Sequence, residues 1–177
     1  GMMDCKHALE ESSGNFEQAV EIIRKKGQLV ASKRADRDAL EGVVLAKASG
    51  SSRNGAIIVL NSETDFVAKN ADFIQFAQDI LQVAVDKKPA DMDALKALTL
   101  KGRSIGDLVT EQIGIIGEKL DLSYYASIEA NQVVAYVHPG NKLATLIGLN
   151  KAMDIQVGKG IAMQVAAMNP GAIDKGD

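Results

Sequence analysis

The 177-residue sequence has one cysteine, two histidines, no tryptophan and only 4% aromatic residues. The single cysteine, Cys5, excludes an intrachain disulfide, and because no second cysteine shares its helical spacing we expect it to pack rather than react. No apolar run approaches the ~18 residues of a membrane-spanning helix, and no secretory signal is present. The sequence therefore predicts no membrane partner, and one thiol suits a reducing compartment such as the cytoplasm.

Motifs for catalysis and nucleotide binding are also missing. Without a GxxxxGK[ST] loop, we expect no direct binding of GTP or GDP. HExxH and CxxC motifs are absent, and His7 and His138 lie far apart with no recognisable nucleophile partner. A net charge of −3 and the scarcity of aromatic residues argue against binding of nucleic acid. The sequence thus predicts a binding protein rather than an enzyme, with no cofactor.

The residues that are present suffice for a folded core, since 46% of the chain is apolar. Apolar periodicity predicts two short helices within residues 2–26, ended by Gly27 as a C-cap, and then a polar helical linker over residues 28–40. We expect residues 1–27 to form a small N-terminal helical domain that is incomplete at its start. Two such helices bury little, so a third helix is needed to stabilise them.

An α+β core is predicted after the linker. Residues 42–48 and 56–60 indicate a hairpin that turns at Asn54-Gly55. Helices over 72–86 and within 92–121 follow, and then a strand over 122–130. A second hairpin is predicted at residues 133–137 and 143–149, with a helix over 160–168. We divide the core into a first unit, residues 41–130, and a second, incomplete unit, residues 131–177.

The two core units resemble each other. In both, a hairpin ends in a Leu-Asn pair, Leu60-Asn61 or Leu149-Asn150, and a helix follows. An acidic–apolar pair lies at the same distance in each, Asp65-Phe66 in the first and Asp154-Ile155 in the second. Two such units could cover each other's apolar sheet faces. The alternative is chance similarity, because the matching residues are mostly common apolar ones.

The corner between the first hairpin and its helix, NSETDFVAKN at residues 61–70, is the most informative segment. Phe66 stands beside Asp65 where turn residues are expected, and an exposed aromatic there is costly unless it packs or binds something. The plainer alternative is that Ser62, Thr64 or Asp65 caps the next helix and Phe66 turns into the core.

Three segments resemble the elongation factor Ts family, and together they cover nearly the whole chain. Residues 1–27, GMMDCKHALEESSGNFEQAVEIIRKKG, resemble its N-terminal helical domain of ubiquitin-associated type. Residues 60–70, LNSETDFVAKN, are similar to its most characteristic segment. YVHPGNKLATLIGL and IAMQVAAMNP resemble its later core.

The resemblance implies a guanine-nucleotide exchange factor of translation elongation, cytoplasmic and bacterial in type or else organellar. Its partner would be elongation factor Tu. In the family, one segment would disturb the partner's Mg²⁺ site and so promote release of GDP. The residues of this chain that match that segment are Thr64, Asp65, Phe66 and Val67. His138 matches a further residue that approaches the partner in the family.

Gln164 stands where the family often has a histidine, so the resemblance assigns no role to that side chain. A second interpretation is a small protein-interaction adaptor that uses residues 2–26. It accounts for the helices but not for the TDFVAKN segment. Stimulated release of GDP from elongation factor Tu separates the two interpretations.

Overall fold

The computed structural model describes residues 2–174 and 176. It is an α+β fold, as predicted. The N-terminal half contains α1 Met2–Glu11, α2 Phe16–Lys33, β1 Glu41–Ala48, β2 Asn54–Ser62, α3 Asp65–Ala68 and α4 Ala71–Lys87. The C-terminal half contains α5 Met92–Ala97, β3 Thr99–Leu100, β4 Arg103–Ser104, α6 Ile105–Ile116, β5 Leu120–Glu129, β6 Gln132–Val137, β7 Ala144–Leu149 and α7 Ile155–Met168. Among these residues, no helix is both long and apolar enough to cross a membrane.

The main core lies between a three-stranded antiparallel sheet, in the order β1-β2-β5, and helices α4, α5 and α6. Alternate residues of β2 point into it, and Ala56, Ile58 and Leu60 are fully buried. One face of α4 covers them with side chains at helical spacing, including Phe73 and Ile80. Burying each large side chain of this kind contributes about 1.5–3 kcal/mol.

The prediction that α2 ends at Gly27 is wrong, because the helix continues to Lys33. Gly27 is buried where α2 crosses α6, and a Cβ there would lie 2.0 Å from the carbonyl oxygen of Thr110. A Cβ on Gly114 of α6 would likewise lie 2.7 Å from the carbonyl oxygen of Ile23. The glycine therefore permits close packing of two helices rather than ending one. Only residues 34–40 of the predicted helical linker lie outside a helix.

The cluster between α1 and α2 is small, as the short helices predicted. Its buried apolar residues are Ala8, Ala19 and Ile23, and Ile115 of α6 packs against them. Helix α6 thus supplies the third helix that this cluster needs. The boundaries of the N-terminal domain remain a prediction.

The prediction that the first hairpin turns at Asn54-Gly55 is wrong. Gly55 pairs with Ala48 inside the ladder, and residues 49–53 reverse the chain, with Ser52 at a φ of 55°. A Cβ on Gly55 would lie 2.8 Å from a methyl group of Val133, so this glycine also serves close packing.

The two core units are related, as predicted, because each has a hairpin covered by the helix that follows it. Helix α4 packs on β1 and β2, and α7 packs on β6 and β7. They differ in detail, since β5 adds a third strand beside β2. Helix α7 also begins at Ile155 and not near residue 160, because Asp154 caps it through a hydrogen bond from the Gln156 N–H. Gly158 lies inside α7, where a Cβ would come within 2.9 Å of a methyl group of Val134, so the glycine permits close packing on β6.

Candidate functional site

The strand-to-helix corner begins where β2 ends at Ser62. Thr64 is the N-cap of α3, and its Oγ1 accepts a hydrogen bond from the Val67 N–H at 3.4 Å. Ser62 is fully buried, and its hydroxyl donates to the Thr64 carbonyl at 2.9 Å. Asp65 lies in the first turn of α3. Of the three residues considered as caps, Thr64 is the one that caps this short helix.

Two glutamates hold the corner in place. Thr64 donates its backbone N–H to Glu118 Oε2 at 3.1 Å and its hydroxyl to Glu118 Oε1 at 2.7 Å. Glu63 accepts hydrogen bonds from Arg34 Nη1 at 2.7 and 2.8 Å and from the Lys119 N–H at 2.6 Å. Burial alone would raise the pKa of Glu63, but the Lys119 N–H and the Arg34 guanidinium outweigh burial and hold it below its ordinary value. The corner is therefore attached to α2 and to the segment after α6.

Phe66 points away from this support, and 83% of its surface is exposed. Val67 is half-buried and packs against the main core, and Ala68 is buried, so α3 has one inward and one outward side. The interpretation of Phe66 as an ordinary core residue is wrong. Phe66 lies at the rim of a groove of about 400 Å³, which is lined by Phe66, Val67, Asn70, Asp72, Phe73, Gln112, Ile115 and Ile116.

Asp65 is a charged neighbour of the exposed ring. Lys69 Nζ lies 2.6 Å from Asp65 Oδ2, one helical turn away. The hydrogen bond from the Lys69 ammonium holds the pKa of Asp65 below its ordinary value, and the charge of Lys142 acts in the same direction. Asp65 is therefore ionised at neutral pH. The corner presents a carboxylate and an aromatic ring side by side.

His138 is exposed at the start of the turn between β6 and β7. Its Nδ1 lies 2.8 Å from the hydroxyl of Tyr136, and its backbone carbonyl accepts from the Asn141 N–H at 3.0 Å. The Val44 N–H of β1 donates to the Asn141 carbonyl at 2.8 Å, which fixes this turn to the first core unit.

The same turn comes near the corner. Lys142 forms an ion pair with Glu41 at the start of β1 and donates to the Gly42 carbonyl at 3.2 Å. Helix α3 also contacts β1, and Lys142 is near enough for its charge to lower the pKa of Asp65. The structure thus brings Lys142, four positions after His138, near the corner.

The supporting residues Arg34, Glu63, Glu118 and Lys119 were not predicted from the sequence as part of the site. No local signal indicates them, because Glu118 lies 54 positions from the Thr64 that it binds. Within residues 2–174 and 176, no group of three or more His, Cys, Asp and Glu side chains could hold a metal ion. The corner has the features of a recognition surface, namely an exposed ring on a fixed backbone.

Comparison with known proteins agrees with these features. A family model described as Elongation factor TS matches residues 63–177, which include the corner from Glu63 onward and the His138 turn. An elongation factor Ts of Porphyromonas gingivalis strain W83 is 54% identical over 176 residues, covering 98% of this chain and 63% of the relative. Elongation factor Ts of Azobacteroides pseudotrichonymphae is 49% identical and that of Amoebophilus asiaticus 50%, each over 178 residues, 99% of this chain and 64% of the relative.

The chain therefore spans 63–64% of the length of these relatives. The family match covers well over half of the chain, and the relatives are similar along almost all of it. The chain belongs to the elongation factor Ts family.

Proposed function

We propose that this chain is a guanine-nucleotide exchange factor that binds elongation factor Tu and promotes release of GDP during translation elongation. The observation that carries the proposal is the 83% exposure of Phe66 on a corner fixed by two glutamates. An aromatic side chain has few rotatable bonds, so it offers a large contact area at little cost in conformational entropy. A rigid corner lowers that cost further, because little is ordered on binding.

In the proposed mechanism, residues 64–67 enter beside the Mg²⁺ site of the partner. Mg²⁺ neutralises charge on the bound diphosphate, so disturbing its coordination weakens the hold on GDP. Phe66 would anchor the corner against the partner, and the ionised Asp65 would bring negative charge towards the cation. The chain needs no catalytic group for this, because nucleotide exchange requires only that GDP dissociates faster from the partner. In this mechanism the chain acts on the nucleotide through the partner.

His138 is proposed as a further contact with the same partner. Its exposure, and the attachment of its turn to β1, which also contacts α3, support a contact with a protein that covers Phe66. The neighbouring Tyr136 hydroxyl orients the imidazole ring by its 2.8 Å approach.

The test is release of fluorescent GDP from elongation factor Tu with and without the chain. The wild-type chain should accelerate release, and Phe66→Ala should reduce the acceleration about tenfold or more, because a buried aromatic anchor is typically worth ~2 kcal/mol or more. Tyr124→Ala is the matched control, since it removes an aromatic that is 52% exposed on β5. Tyr124→Ala should exchange normally. A folded Phe66→Ala variant with wild-type activity would refute the proposed role of the corner.

A further inference from the structure

Glu118 links the segment after α6 to the N-cap of α3 by hydrogen bonds. Gly117 ends α6 with a φ of 82°, and Glu118 follows it directly. Both carboxylate oxygens of Glu118 accept from Thr64, one from its backbone N–H and one from its hydroxyl. Hydrogen bonds to a charged acceptor are the stronger kind, so this pair is suited to fix a backbone position.

Helix α3 depends on such outside support. It has four residues, Asp65–Ala68, and one helical turn does not hold its own conformation in water. Its cap is Thr64, and Phe66 follows two positions later. The direction of the exposed ring therefore depends on the position of Thr64, which Glu118 holds together with the Ser62 hydroxyl.

We propose that Glu118 is a positioning residue that acts through Thr64 to hold Phe66 in the orientation needed for nucleotide release from the partner. The inference rests on the proposed function and extends it to a residue outside the TDFV segment. Glu118 holds the helix side of the corner, while the strand side is held separately by Arg34 and Lys119 through Glu63. Removing the Glu118 carboxylate should therefore loosen the N-cap of α3, and with it the orientation of Phe66, while β2 and the core stay in place.

The experiment measures the rate of fluorescent-GDP release from elongation factor Tu against chain concentration, up to saturation. Glu118→Ala should lower the maximal rate about tenfold, since it removes two hydrogen bonds to a charged group worth ~1.5–3 kcal/mol each, only part of which acts on the transition state. A merely structural role would give a different result. A partly unfolded variant would need more chain for half-saturation but would reach the wild-type maximum.

Two further variants isolate the hydrogen bonds. Glu118→Gln keeps an oxygen that can accept from the Thr64 N–H and an amide that can donate to the Thr64 hydroxyl, but loses the charge, so its maximal rate should lie between those of Glu118→Ala and the wild type. Glu118→Asp keeps the charge but is one methylene too short, so it should be impaired like Glu118→Ala and replaces it if that variant does not fold. A Glu118→Gln variant as slow as Glu118→Ala would overturn the inference.

Glu111→Ala is the matched control, because Glu111 is a half-buried carboxylate of α6, the helix before Glu118, and pairs with Arg103 rather than with the corner. Its maximal rate should equal that of the wild type.

In a Thr64→Val background, which removes the hydroxyl partner, Glu118→Ala should have a smaller effect than in the wild type. An equal effect in both backgrounds would mean that Glu118 contacts the partner directly, and would overturn the positioning role.

Phe66→Ala is measured in parallel to separate the two proposals. If Phe66→Ala does not slow release, the proposed function of the corner fails. If Phe66→Ala slows release but folded Glu118→Ala and Glu118→Asp reach the wild-type maximum, only the positioning role of Glu118 fails.

Discussion

Phe66 and Phe73 are seven positions apart, a spacing that would put them on one face of a continuous helix. The chain breaks between them, because Asn70 starts α4 as its N-cap, accepting from the Asp72 and Phe73 N–H groups. As a result Phe66 is 83% exposed and Phe73 only 3%. The same residue type thus serves a surface at one position and the core at the other.

This contrast predicts that two alanine variants differ strongly in how much stability they lose. Phe66→Ala should change the free energy of unfolding by no more than about 0.5 kcal/mol, as is usual for surface positions. Phe73→Ala should lower it by about 3–5 kcal/mol, because it leaves a cavity in the main core. Urea denaturation measures both. A Phe66→Ala variant that unfolds as early as Phe73→Ala would show that Phe66 belongs to the core in solution.

At the residue scale, the sequence indicated the segment of the site but not what supports it. Thr64 to Val67 could be identified because turn residues and an aromatic stand together between a strand pattern and a helix pattern. Glu118 and Arg34 could not be identified, since a charged side chain near a helix end is usually a solvated surface group. Only the folded chain shows that these two side chains reach residues 63 and 64.

At the scale of elements, alternation of apolar residues located both hairpins and the periodicity of α4 located its core face. The errors cluster at glycines. Gly27 and Gly55 were interpreted as a helix end and a turn, yet both lie inside elements where another part of the chain comes close. A glycine that permits close approach and one that permits a turn look alike in sequence, because the distinguishing neighbour is remote.

The crossing of α2 and α6 gives a prediction at this scale. Gly27→Ala should lower the free energy of unfolding by about 1–3 kcal/mol, because the added methyl would meet the Thr110 carbonyl and force the helices apart. Gly160→Ala in α7 is the matched control, since nothing lies within 4 Å of a Cβ there. It should stabilise the chain by up to about 1 kcal/mol through helix propensity. Thermal and urea unfolding of both variants test this, and a neutral Gly27→Ala would contradict such a close crossing.

At the scale of the whole molecule, the sequence indicated the fold class and the relation of the two core units, because both follow from repeated local patterns. The connection of the helical N-terminus to the core was not indicated. It is made by packing of α2 on α6 and by the ion pair of Arg34 with Glu63, at 2.7 Å. Both contacts join parts of the chain that are remote in sequence, and local patterns carry no information about such pairs.

Because Glu63 joins three segments, its ionisation links pH to the stability of the whole chain. Its pKa in the folded state lies below the ordinary value of 4.5, since the Lys119 N–H and Arg34 outweigh the effect of burial. A carboxylate with a depressed pKa binds its proton more readily in the unfolded chain. Its contribution to stability is therefore fully present above the ordinary pKa and is lost as the pH falls towards the folded-state value.

The stability of the wild-type chain should therefore stay level as the pH falls from neutral to the ordinary glutamate pKa of 4.5, and then decline. Glu63→Gln should be less stable than the wild type at neutral pH, because an uncharged amide binds Arg34 and the Lys119 N–H less strongly. Its decline below that pH should be shallower, so the two curves should converge in acid. Urea midpoints measured across this range give both curves. Glu129→Gln is the control, since that side chain is 66% exposed and pairs with Lys88, and it should follow the wild-type curve. Parallel curves for wild type and Glu63→Gln would mean that Glu63 does not hold α2, the corner and the start of β5 together in solution.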